Sequence, residues 1–185
     1  MSTLDPTTTE AEPSAAMPRR SDHFAALAAY VSRAAPGERA SLARMQPDAM
    51  QPHQLAALSR SLLAAGLSPD QWHTDTWPRW ALIAHGIALA GHDGKQRLGS
   101  QLAQAGVSES RVTKLLTSRG DAFTQLLPRV LRLLASKSVA PNWRELGALV
   151  LNQSSTDRQK QADAEANRLA IAGPYFSALA RAAAK

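Results

Sequence analysis

Cysteine is absent from this 185-residue chain, which excludes disulfide frameworks, thiol nucleophiles and cysteine zinc sites, and gives no sign of an oxidising compartment. No stretch approaches the roughly 20 apolar residues needed to span a bilayer, and the N-terminus lacks the basic-then-apolar order of a secretory signal. The expectation is a soluble, cytoplasmic protein with no membrane partner. Also missing is any sustained period-two run of β-branched residues, so no sheet is assigned.

The chemistry of most enzymes is missing as well. The five histidines (His23, His53, His73, His85 and His92) are scattered, with no His-x3-His pair and no His-Glu-x2-His motif to hold a metal. No Gly-x-Gly-x-x-Gly or Walker-type loop offers a cradle for a nucleotide phosphate. Asp70, Asp75 and Asp93 fall in loops but share no diagnostic spacing. The expected protein is therefore not an enzyme, and needs no cofactor, metal or small-molecule substrate.

What is present is apolar residue, 44% of the chain, enough for one sizeable core or two small ones tightly joined, together with positive charge. The first 18 residues contain three acids (Asp5, Glu10, Glu12) and no base, so residues 19–185 carry all 21 bases against 12 acids, a formal +9. Such an excess points to a polyanionic partner, whereas a surface charged only for solubility usually mixes both signs.

Residues 1–20 are rich in Thr, Pro, Ala and Glu without hydrophobic periodicity and read as a disordered leader. Helical spacing then predicts segments over 22–34 with Asp22 as N-cap, 38–45, 53–65, 78–90, 97–105, 109–118, 121–136, 142–151 and about 155–170, the last resuming to 183. Pro36-Gly37, Gly66, Gly106, Gly120 and Gly173 are read as breaks between them. Pro128 falls inside a predicted helix and should kink it. The fold expected is all-α, a compact bundle of about eight helices in two packed halves, about 21–92 and about 95–185, forming one domain over 21–185.

The placement of the bases is informative. Where Val112, Leu115 and Leu116 form a buried stripe, Arg111, Lys114 and Ser118 take the adjoining face. In the next helix Phe123, Leu127, Val130, Leu131 and Leu134 face inward, leaving Gln125, Arg129, Arg132 and Ser136 as an outward row. Arg119 lies at the turn between them. Five cations thus gather on two consecutive helices, with Glu109 and Asp121 the acids among them, a pattern suited to spaced phosphates. Trp72, Trp77 and Trp80 could stack on unpaired bases or pack in a core; Trp80 shares a stripe with Ile83, Ala84 and Ile87. The stretch Leu98 to Arg119 can also be laid on a helix-turn-helix with Gly106 at the turn, which leaves a DNA-binding transcriptional regulator as the alternative reading.

The succession Arg44-Met45, Trp77-Pro78-Arg79, Leu98-Gly99, Ser110-Arg111-Val112 with Leu115-Leu116, Leu131-Arg132-Leu133-Leu134 and Asn142-Trp143 resembles the CasB-type small subunit of the type I-E CRISPR Cascade complex, over about residues 23–180. The resemblance implies a non-catalytic subunit of a crRNA-guided surveillance complex in antiviral defence. It would be present as a pair of copies beside other Cascade subunits, its basic surface stabilising the crRNA–target hybrid and the displaced DNA strand. Base pairing reads sequence in such a complex, so an accessory subunit needs backbone contacts alone. The nucleic-acid contacts implied are Arg44, Arg79, Arg111, Arg119, Arg129, Arg132 and Arg158, to which Lys114 is added on the helical-face argument.

Overall fold

The computed structural model describes residues 22–184; the leader read at 1–20 lies outside them. Among the described residues there are nine α-helices and no strand: α1 (His23–Arg33), α2 (Pro36–Ala43), α3 (Pro52–Ala64), α4 (Thr76–Ala90), α5 (Leu98–Gln104), α6 (Glu109–Thr117), α7 (Gly120–Ser136), α8 (Trp143–Asn152) and α9 (Arg158–Ala183). A 3₁₀ turn, Pro69–Gln71, precedes α4. The all-helical expectation holds, and the ends of most elements fall close to their sequence signals.

Local chemistry sets those ends. Asp22 accepts from the Ala25 N–H at 3.1 Å and Asn142 from the Arg144 N–H at 3.0 Å, each satisfying a donor that a helix start leaves unpaired. Gln51 and Gln54 form a reciprocal capping box on α3. Gly106 closes α5 in the left-handed region (φ +68°), with Val107 N–H returning to the Leu102 carbonyl at 3.0 Å and Gly106 N–H to that of Ala103 at 3.0 Å.

Two of the expected breaks are not breaks. Pro36-Gly37 opens α2 rather than ending α1, because a proline in the first turn loses only an N–H that has no helical partner. α9 runs unbroken through Gly173-Pro174. Pro174 cannot donate to the Ala170 carbonyl, and the Arg97 guanidinium donates to it instead at 3.0 Å. α7 likewise continues through Pro128 as one helix.

α4 is the central element, with α1, α2 and α3 packed on it from the first half and α7 and α8 from the second. Its residues Trp80 to Ile87 are buried without interruption. Trp80 is stacked between Phe24 and Trp72, each with ring centroids 5.7 Å away, and Trp77 meets Trp72 edge-on at 5.8 Å. Trp143, fully buried, donates from its indole to the Gly91 carbonyl at 2.9 Å and lies over Gly86, where a Cβ would come within 2.3 Å of the ring. The tightest helix pairing is α5 on α9. A Cβ on Gly99 would stand 2.0 Å from the Ile171 carbonyl oxygen, so the backbones approach as only glycine permits.

Candidate nucleic-acid interface

The helical faces read from the sequence are the faces observed. On α6, Val112, Leu115 and Leu116 are buried while Arg111 and Lys114 are exposed. On α7, Phe123, Leu127, Val130, Leu131 and Leu134 are buried, and Gln125, Arg129, Arg132 and Ser136 are exposed. Burial of the apolar stripe fixes the rotation of each helix about its axis, and that rotation carries the cations to the solvent side.

The eight nominated residues divide into two groups. Arg79 and Arg119 are engaged within the fold. Arg79 is half-buried, paired with Asp75 at 3.2 Å and donating to the Leu151 carbonyl at 3.1 Å, so it ties the start of α4 to the end of α8. Arg119 grips Glu165 with two hydrogen bonds (2.8 and 3.0 Å) and donates to the Leu116 and Ser118 carbonyls, both at 3.0 Å. It therefore caps the C-terminal end of α6, where unpaired carbonyls and the helix dipole favour a cation. Arg44, Arg111, Lys114, Arg129, Arg132 and Arg158 are exposed, and none pairs with a carboxylate among the described residues.

Arg44, Arg79 and Arg132 come together on a groove of about 690 Å³ between the α2–α3 connection, α4, α7 and the end of α8. Its apolar lining includes Met45, Leu82, Leu89 and Val150; Asp48, Asp75 and Asp121 add negative charge. His85 lies beneath it, 8% exposed, its Nδ1 3.3 Å from the Leu42 carbonyl. Burial holds its pKa below the ordinary histidine value, the Leu42 contact opposes this, and Arg132 adds to the depression. Pro128 and Thr124 also line this groove, and there water can reach the Thr124 carbonyl that Pro128 leaves without its helical donor. Arg111 and Lys114 lie away from the groove; Lys114 sits instead on a shallow depression along α6 with Glu109, Ser110, Thr113 and Thr117.

The sequence reading missed Arg168. It is 5% exposed inside α9, donating to the Leu116 carbonyl at 2.8 Å and the Ser118 carbonyl at 3.3 Å, and sharing Glu165 with Arg119. Two guanidinium groups and one carboxylate thus lock the α6–α7 turn onto α9. No sequence signal distinguishes Arg168 from a surface arginine, since its partners lie about fifty residues away. Lys137, at the C-cap of α7, is a further exposed cation outside the nominated set.

The α5–Gly106–α6 segment has the order of a helix-turn-helix, but α5 is locked by Gly99 against α9. No helix among the described residues is long and apolar enough to cross a membrane, and no cluster of three or more metal-binding side chains occurs among them. Comparison with curated proteins and with solved structures gave no match. The family model described as CRISPR-associated protein Cse2 matches residues 38–176, a span from α2 to α9 that includes both groups of arginines apart from none of the eight. With the all-helical architecture and the succession of motifs along it, that match places the chain in the Cse2 family, the small subunits of the type I-E CRISPR Cascade complex, as a structural subunit in antiviral defence.

Proposed function

We propose that this subunit binds nucleic-acid backbone without reading sequence, stabilising the crRNA–target hybrid and the displaced DNA strand, and that it does so from two copies in contact with other Cascade subunits. The observation that carries this reading is the partition of its surface cations. Arg60, Arg97, Arg119 and Arg144 are each held by a carboxylate, whereas Arg111 and Lys114 on α6 and Arg129 and Arg132 on α7 stand exposed with none. A cation already paired inside the protein has little to gain from a phosphate, while an unpaired one releases counterions from the nucleic acid when it binds. Arg44 and Arg158 extend the set, and Arg79 and Arg119 act by holding the scaffold as well as by any contact of their own.

The test is binding of the purified protein to random duplex, single strand and RNA–DNA hybrid across a range of salt concentrations. Removing Arg111 or Arg132 should weaken binding alike for every sequence and lower the log-log salt slope by about 0.9 on duplex, or about 0.7 on a single strand. Binding that changed its preference among base sequences would favour the regulator reading, and binding insensitive to salt would end the proposal.

A further inference from the structure

α9 carries apolar residues on two opposite sides, and the fold uses one of them. Ala164, Ile171 and Tyr175 are buried, with the stem of Arg168 beside them, on the side packed against α5, α6 and α8. On the other side Ala162, Ala166, Leu169, Gly173, Phe176 and Ala180 are all exposed. Their spacings alternate four and three, the interval that keeps residues on one stripe of a helix and lines the seam of a coiled coil. Leu169 is 74% exposed, more than any other large apolar side chain among the described residues, and Phe176 is 43% exposed.

We propose that this stripe is where two copies of the chain meet, through α9 helices packed antiparallel about a two-fold axis at Gly173. An antiparallel pair maps the stripe onto itself: Gly173 faces Gly173, Leu169 faces Phe176, and Ala166 faces Ala180. Small residues at the centre and towards the ends allow the helix axes to approach closely, while the two Leu169–Phe176 layers supply the apolar contact. Charge selects the orientation independently. Asp163 and Arg181 are exposed and 18 residues apart, five full turns, so they share one flank of the stripe. In the antiparallel register Asp163 of one copy comes level, within about 1.5 Å along the axis, with Arg181 of the other, twice by symmetry. A parallel pair in register would set Asp163 against Asp163 and Arg181 against Arg181, which flanking charges disfavour. The seam from Ala162 to Ala180 is about 27 Å long, which places this contact at the small end of specific interfaces, with a dissociation constant in the micromolar range.

The inference rests on the two-copy part of the proposed function and not on its phosphate contacts. Sedimentation of the full chain over a concentration series should show a monomer–dimer equilibrium. Leu169→Glu should shift it towards monomer about ten-fold or more while leaving the helical circular-dichroism signal intact, since the side chain is already mostly in solvent. Asp163→Arg and Arg181→Asp should each weaken it, and the two together should restore it. Because the chain has no cysteine, oxidation reports the register directly: a mixture of Ala166→Cys and Ala180→Cys chains should cross-link into the mixed dimer, and neither should cross-link to itself. A dimer indifferent to Leu169→Glu, or Ala166→Cys cross-linking to itself, would overturn this surface while leaving the two-copy reading standing. A chain that remains monomeric throughout would remove both.

Discussion

Replacing Gly99 by alanine should be among the most damaging single-methyl additions this protein can receive. The added Cβ would lie 2.0 Å from the Ile171 carbonyl oxygen and 2.7 Å from the Tyr175 backbone nitrogen. Ordinary contact begins near 3.4 Å, and both obstacles are main chain, so no rotamer change relieves the overlap; α5 must move away from α9 by about 1.4 Å. That movement loosens the packing of Leu98, Leu102, Ile171 and Tyr175, all essentially fully buried, and strains the 2.7 Å bond from the Tyr175 hydroxyl to the Val107 carbonyl. Overpacking of this kind commonly costs 1–3 kcal/mol, and with backbone on both sides we expect the upper end, about 3 kcal/mol. For a domain of this size that lowers Tm by roughly 6–12 °C. The control is Gly37→Ala in α2, where nothing lies within 4 Å of the new methyl, and where alanine should be neutral or stabilising by about 0.5–1 kcal/mol. Urea unfolding followed by circular dichroism compares the two. A Gly99→Ala cost below about 1 kcal/mol, or a loss as large for Gly37→Ala, would refute the close approach of α5 and α9.

Arg119→Ala should cost about 1 kcal/mol of stability, because its pairing with Glu165 is exposed and its main contribution is to the carbonyls at the end of α6; thermal melts with and without the change measure this, and a loss above about 3 kcal/mol would contradict it. Ser138 sits in the left-handed region at φ +54° where the chain leaves α7, so Ser138→Gly should stabilise by about 1 kcal/mol in the same melts, and any destabilisation would count against that backbone strain. Acid should weaken the fold below neutrality. Burial holds His85 and His92 below the ordinary histidine value of 6.5, so their contribution is complete above that value and is lost as pH falls beneath it, when the unfolded chain takes up the protons. Asp22 acts in the same sense at lower pH: burial raises its pKa, but the Ala25 N–H and Arg144 outweigh this and hold it down. Urea midpoints across pH 5–8 in the His92→Gln protein should fall less steeply than in the parent.

Periodicity made the helices legible, because a stripe of buried residues at three- and four-residue intervals appears in sequence as it does in space. The buried and exposed faces of α6 and α7 were readable for that reason. Punctuation was less legible. Pro36 was read as an end and proved a beginning, since proline in a first turn and proline after a last turn leave the same mark. Gly173-Pro174 was read as a break because nothing local reveals that Arg97, 73 residues earlier in sequence than Ala170, supplies the missing donor. Trp80 stands in a stack with Phe24 and Trp72, whose meeting depends on the packing of α1 and the α3–α4 connection against α4.

The arginines show where sequence reading reaches its limit. Whether a helical arginine faces outward is a local property; whether it is free is not. Arg119 and Arg111 both precede buried apolar positions by a few residues, yet Arg119 finds Glu165 46 residues away while Arg111 finds no carboxylate among the described residues. The difference arises from α9 crossing the end of α6, which places Glu165 and Arg168 beside the Leu116 and Ser118 carbonyls. Arg119→Ala should then leave the salt slope of nucleic-acid binding close to its parent value while lowering stability, and Arg132→Ala should do the reverse. Two arginines that composition counts alike would thereby separate into one that holds the scaffold and one that meets the phosphate.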